Sequence, residues 1–203
     1  MKKSLKFLAI ALSIGLMAFA TKENPKTFTV VIDAGHGGKD HGAVVNSATE
    51  KEITKRVSDQ IANLNSDKDV VIHFTRAEDD FVSLQDRTDK INSLKPDLVL
   101  SLHVTSNPNT TASGMEFYVC KDNPKADESK SFAEKIEQKF IGKNYKSRGV
   151  KEAPFFILKK SEAPAVLVEL GFISNATDNK YLTDKAEQDK IAETILAFIQ
   201  ENK

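Results

Sequence analysis

Four side chains in this sequence pair reactive chemistry with an informative setting: His36, Glu50, His103 and Glu169. His36 lies in Val30-Val31-Ile32-Asp33-Ala34-Gly35-His36-Gly37-Gly38, an apolar strand running into a glycine turn, and three glycines around one imidazole let backbone approach a bound group closely. Read alone, such a turn is equally well an ordinary loop with an exposed histidine. A dinucleotide loop is excluded, because G-x-G-x-x-G requires glycine where this chain has Asp40. Glu50 comes fourteen positions after His36 at the start of a helix, where the helix dipole favours a carboxylate without any chemistry. His103 ends the apolar strand Leu98-Val99-Leu100-Ser101-Leu102, a setting also suited to a satisfied core histidine. Glu169 interrupts Ala165-Val166-Leu167-Val168-Glu169-Leu170-Gly171-Phe172, and a buried charge needs a cation, a metal or a proton beside it.

Jointly, two imidazoles and one carboxylate form the open zinc set, with water in the fourth position, and a second carboxylate is the base such water needs. His41 and His73 compete as ligands. His73 alternates within Val71-Ile72-His73-Phe74 and reads as a sheet-face residue; His41 lies farther along the glycine loop. Glu116, in the alternating run Met115-Glu116-Phe117-Tyr118-Val119, reads as half-solvated. Cys120 sits in a strand with no histidine near it and reads as a buried, inert thiol. The chain has no G-x-S-x-G elbow, no Walker A loop and no H-E-x-x-H helix.

The elements that must position these groups alternate between β-branched runs and helical periodicity, the pattern of an α/β domain. Strands are expected at Phe28–Asp33, Val70–Thr75, Leu98–Leu102, Met115–Cys120, Phe155–Leu158 and Ala165–Leu170. Helical stripes are Ile53, Val57, Ile61, Leu64; Leu84, Thr88, Ile91, Leu94; Phe132, Ile136, Phe140; and Ile191, Ile195, Phe198. Thr49-Glu50-Lys51-Glu52 spells a capping box with Thr49 as N-cap, which occupies Glu52 and leaves Glu50 without a structural task. Gly149 and Ala163-Pro164 mark loops ahead of strands. The expected fold is a single α/β domain, with a mixed, mostly parallel sheet of about six strands and helices on both faces. Its ligands belong at the strand ends.

The 203 residues are 40% hydrophobic, enough for one sizeable core. Met1 to Ala20 combines Lys2, Lys3 and Lys6 with a short apolar run ending Ala18-Phe19-Ala20, a secretory signal cleaved after Ala20. The run is shorter than the ~20 residues a span requires, so no stable membrane anchor is expected. Residues 21–27 read as a short tether and 28–203 as the catalytic domain. Lys+Arg and Asp+Glu each total 29. Loss of the signal removes three lysines and leaves about −3, which argues against a nucleic-acid partner. One cysteine allows neither an internal disulfide nor a cysteine-rich zinc site.

In order along the chain, VVIDAGHGGKDHGA, EKEIT, TRAEDDFVSLQDRTDKIN, SLHVTSN, SRGVKEAPFFIL and PAVLVELGFISN resemble the zinc-dependent N-acetylmuramoyl-L-alanine amidases of the bacterial cell wall, the Amidase_3 family. The resemblance spans about residues 28 to 200. It implies one Zn²⁺ held by His36, Glu50 and His103, with Glu169 as catalytic acid/base, and it selects Glu50 over Glu52. It also implies a secreted hydrolase that cuts the amide between N-acetylmuramic acid and L-alanine in peptidoglycan; a signal peptide with no wall-anchoring module makes the periplasm the expected compartment, and a monomer is the expected state. Thr105 stands where family members often carry asparagine, which affects substrate contacts in that loop. Only 65 residues separate His103 from Glu169, so the plugging helix of some relatives is not expected, and any activator is left open. Two other functions fit the same residues: a zinc peptidase cutting inside the stem peptide, and a wall-binding scaffold on an inactive amidase fold. The second is disfavoured because all four chemical positions are filled.

Overall fold

A computed structural model describes residues 27–203. The expected secretory signal and residues 21–26 of the tether lie outside the described residues. The chain runs β1 (Phe28–Ala34), β2 (Val44–Val45), β3 (Ala48–Thr49), α1 (Glu50–Leu64), β4 (Val70–Phe74), α2 (Leu84–Leu94) and β5 (Leu98–Thr105). It continues β6 (Met115–Val119), α3 (Ala126–Gly142), β7 (Ser147–Glu152), α4 (Phe156–Lys160), β8 (Ala165–Phe172), α5 (Ala176–Thr183) and α6 (Lys185–Glu201). Six strands form one sheet in the order β4-β1-β5-β8-β6-β7, and β2 and β3 form a small hairpin. Strands β4, β1, β5 and β8 are mutually parallel; β6 runs antiparallel to β8, and β7 parallel to β6. This is the expected mixed, mostly parallel sheet.

Strands with two apolar faces need cover on both sides, and the cover is unequal. On one face, Val30, Ile32, Leu100, Phe117 and Val168 pack with Ile53 and Val57 of α1, Ile136 and Phe140 of α3, and Ile195 and Phe198 of α6. On the other, Val31, Val99 and Leu167 form a smaller cluster with Ile91 of α2, Ile157 and Leu158 of α4, Cys120, Ala163 and Ala165. Side chains two apart share a face, so Val99, Ser101 and His103 of β5 line this thinly covered side, as do Ala165, Leu167 and Glu169 of β8. His103 and Glu169 are register partners on this side. Among the described residues no helix is long and apolar enough to cross a membrane.

Two elements depart from expectation. Phe155–Leu158 is not a strand: Phe155 caps α4, whose buried residues are Ile157 and Leu158. A four-residue apolar run has no period that separates strand from helix, and two lysines at its end suit a helix C-terminus. The sixth strand is instead Ser147–Glu152, read above as a loop at Gly149. It is an edge strand paired on one side only, so it carries polar residues that hide its identity. The stripe of α2 is also narrower than expected, because Leu84 is exposed.

Phe117 is fully buried, with its ring 6.1 Å from that of Phe140. Phe117→Ala is expected to cost about 3–5 kcal/mol. The measurement is urea unfolding, with a lower midpoint at an unchanged slope.

Candidate metal centre

The centre begins where β1 stops. Gly35 N donates to Leu102 O at 2.9 Å, stitching the turn to β5, and a Cβ at Gly35 would lie 2.5 Å from the His103 ring. Only glycine lets the two strands bring His36 and His103 this close. Glu50 is the first residue of α1 and is buried there. Its Oε1 lies 2.8 Å from His103 Nδ1 and accepts from Val104 N at 3.0 Å. Its Oε2 lies 3.0 Å from His36 Nε2 and accepts from Ala43 N at 2.8 Å. His36 Nδ1 is in turn 2.9 Å from Asp40 Oδ2, the kind of carboxylate contact that orients a metal-binding imidazole and leaves its other nitrogen for the ion. One ligating atom from each of His36, Glu50 and His103 falls within 4.8 Å of the others, a group able to hold a metal ion. His41 is exposed and His73 sits on the edge strand β4; neither joins the group.

The electrostatics follow from crowding charge in a buried place. Burial pushes the Glu50 carboxyl up, but hydrogen bonds from His103 and His36 outweigh it and hold the group far below the usual carboxylate range. Burial opposes the charged form of His36, yet the bond to Glu50 lifts it to about 9. His103 is raised against burial in the same way. Glu50 therefore favours positive charge on both imidazoles, a demand that a divalent ion also meets.

The turn carrying His36 is braced from below. His36 has φ +59°, a left-handed backbone that costs a non-glycine residue energy unless its surroundings impose it. Two buried arginines do so. Arg87 donates to Ala34 O at 2.7 Å and His36 O at 2.5 Å, and Arg76 to Ala34 O at 3.0 Å and Gly35 O at 3.1 Å. The charge of Arg87 is met by Asp33 at 2.7 Å, which also accepts from Thr75 and Ser101. Lys51 ties Gly38 O at 2.9 Å to Asp79 at 2.7 Å. Of these residues, Asp33 carried a legible signal: it interrupts an apolar strand as Glu169 does. The arginines had none, because only the fold brings them under the turn.

Glu169 faces His103 on one side and Glu116 on the other. Its Oε2 is buried without a hydrogen-bond partner, an orphaned acceptor next to the group. Burial, opposed by His103 and reinforced by Glu50 and Glu116, pushes its carboxyl up to about 7. Glu116 is not the half-solvated residue its alternating strand suggested. It is 7% exposed and accepts from Arg148 Nε, Lys151 Nζ and Tyr118 OH. Cys120 is buried, as expected.

Burial raises the Asp33 carboxyl, but Arg87 and Thr75 lower it further, so its net displacement is downward. Its contribution is therefore present at neutral pH and lost as pH falls through the depressed value. Asp33→Asn leaves Arg87 buried and unpaired, at a cost of about 3–5 kcal/mol near pH 7. Denaturant unfolding should show that deficit narrowing in acid, where the wild type protonates too.

With the geometry in place, the likenesses of the chain fall into line. The sequence pattern of the Amidase_3 family, N-acetylmuramoyl-L-alanine amidase, matches residues 30–201. LytC of Bacillus subtilis, an N-acetylmuramoyl-L-alanine amidase, is 36% identical over 168 residues, 82% of this chain but 34% of LytC. The uncharacterised YqiI of the same organism is 35% identical over 195 residues, 96% of this chain and 93% of YqiI. Among solved structures, the catalytic domain of the amidase CwlV from Paenibacillus polymyxa superposes with a TM-score of 0.80 at 30% identity, covering 87% of this chain and 98% of that domain. An N-acetylmuramoyl-L-alanine amidase of Clostridium difficile gives 0.81 at 29%, covering 87% and 96%. By sequence pattern and by fold, the chain belongs to the Amidase_3 family of N-acetylmuramoyl-L-alanine amidases.

Proposed function

We propose that this protein is a secreted, zinc-dependent amidase that cleaves the bond between the lactyl group of N-acetylmuramic acid and L-alanine in peptidoglycan, releasing stem peptides. The observation that carries this reading is the meeting of His36, Glu50 and His103 beside a buried, partnerless Glu169 oxygen, in a chain of this family. Relatives named as probable cell wall amidases in Staphylococcus, 31–32% identical, support action at the wall, and a cleaved signal at Met1–Ala20 would deliver the enzyme there.

The donor set fits zinc: two imidazoles and one carboxylate, with one imidazole braced by Asp40. Zinc, when bound by His36, Glu50 and His103, supplies a Lewis acid that lowers the pKa of water toward ~7 and polarises a carbonyl. Glu169 takes the proton of the attacking water on its carboxylate as oxygen adds to the lactyl carbonyl carbon. The same carboxyl then gives that proton to the alanine nitrogen as the C–N bond breaks. A carboxyl held near 7 by burial is suited to both transfers, since neither protonation state is far out of reach at neutral pH. His103, the register partner of Glu169, fixes the distance between acid and metal site through the β5–β8 pairing. Arg76, Arg87 and Lys51 keep the His36 turn in place while substrate binds.

Glu169→Gln is expected to retain one equivalent of zinc and to lose about 10²–10⁴-fold in kcat. His103→Ala should lose the metal as well. Mass spectrometry of peptidoglycan digests should find peptides beginning with free L-alanine, abolished by chelator and restored by zinc. Cleavage inside the peptide, or undiminished turnover by Glu169→Gln, would overturn the assignment. The kcat/KM profile of the wild type should fall on the acid side as Glu169 becomes protonated, at or below about 7.

A further inference from the structure

We propose that Arg148 and Lys151 form a carboxylate-binding subsite beside Glu169 that selects stem peptides carrying free carboxylates. The proposal rests on the peptidoglycan amidase reading above and adds to it a chemical preference within the substrate.

The argument starts from an irregularity in β7. Met115 pairs with Ser147, but Phe117 pairs with Val150, so two steps along β6 correspond to three along β7. The extra residue falls at Arg148-Gly149, where Gly149 has φ +91°. In a regular strand, positions 148 and 151 would point to opposite faces. The bulge turns both toward the same carboxylate, and Arg148 Nε and Lys151 Nζ each reach Glu116 Oε1 at 2.6 Å. A Cβ built at Gly149 meets nothing within 4 Å, so glycine is required there by backbone conformation and not by space. Register places Glu116 opposite Glu169, and Glu169 opposite His103. The cations therefore stand at the end of a row that begins at the metal centre.

The donors of this group exceed what Glu116 requires. Burial of Glu116 is compensated by one cation together with the Tyr118 hydroxyl, which donates to Oε2 at 2.7 Å. The second cation offsets Glu169, which stands opposite Glu116, so the two carboxylates are balanced and do not repel an incoming one. Arg148 spends only Nε on Glu116, and its two Nη groups have no hydrogen-bond partner among the described residues. Its Cζ lies 5.2 Å from the centre of the Phe172 ring, which limits the freedom of the guanidinium plane. The side chains of Arg148 and Lys151 are 37% and 35% exposed, so their remaining donors are open to a ligand. A guanidinium fork with an ammonium beside it matches a carboxylate, which accepts two parallel bonds and a third from the lysine. In the proposed substrate the glycan is neutral and the lactyl carboxyl is consumed in the scissile amide, so the anionic groups belong to the stem peptide.

The test compares two synthetic glycan-linked stem peptides, one with every peptide carboxyl free and one with each converted to a carboxamide. Wild type, Arg148→Gln and Lys151→Met are assayed for release of the L-alanine amine. Wild type should favour the free acid in kcat/KM by on the order of ten-fold, mainly through KM, as expected for charge-assisted bonds at a partly exposed site. Each variant should bring that ratio toward one. Equal use of both peptides by the wild type would overturn the subsite and leave the amidase reading intact. So would variants that slow both peptides by the same factor and keep the ratio, since that is the signature of a purely structural role. Cleavage of neither peptide at the lactyl–alanine amide would instead overturn the amidase reading, and the subsite with it.

Discussion

A buried carboxylate held between two imidazoles is the interaction on which the rest of this structure depends. Glu50 sits at the first turn of α1, and both of its oxygens are engaged: one faces His103 and the amide of Val104, the other His36 and the amide of Ala43. Removing such a group from water is expensive, and hydrogen bonds with adjacent positive charge are what offset the cost. The helix start, the β1 turn and the end of β5 are thus drawn to one point. A divalent ion there would replace proton-mediated contacts with coordination by the same atoms.

Around that point the chain divides its labour. One face of the sheet carries the larger core, sealed by α1, α3 and α6, and the other is covered only in part by α2 and the five-residue α4. His103, Glu169 and Glu116 stand in a row on the more thinly covered side. Below the row, Asp33, Arg87 and Arg76 convert a strained turn into a fixed one, because the carbonyls of Ala34, Gly35 and His36 each accept from a buried arginine. The polar residues that hold the turn still are buried, whereas His36 and His103 are partly exposed.

Much of this was legible in the sequence, and the boundary of legibility is physical. Strands β1, β5 and β8 are buried on both faces, so their apolar runs stand out, and a charge such as Glu169 within one is conspicuous. His36 and Glu50 could be singled out because each stands where two elements join, with the resemblance selecting Glu50 over Glu52, and His103 because it is a polar residue in an apolar strand. Edge strand β7 could not, since its sequence, unlike that of the opposite edge strand β4, is polar. The alternation around Glu116 reports a half-buried strand without revealing which side chains neighbours will cover; Arg148 and Lys151 cover it from an edge strand whose polar sequence hides it. Capping of α1 also differs in detail: Thr49 is the N-cap, but its hydroxyl donates to the Glu52 carboxylate at 2.7 Å and accepts from no backbone amide.

The central claim is that three residues distant in sequence share one ion. Anomalous diffraction from crystals of the full chain grown with zinc, recorded on both sides of the zinc absorption edge, tests it most directly. One peak enclosed by His36, Glu50 and His103, with Glu169 beside it and not bound to it, is the result predicted. A peak elsewhere, or none in a folded protein that still cuts peptidoglycan, would contradict the account.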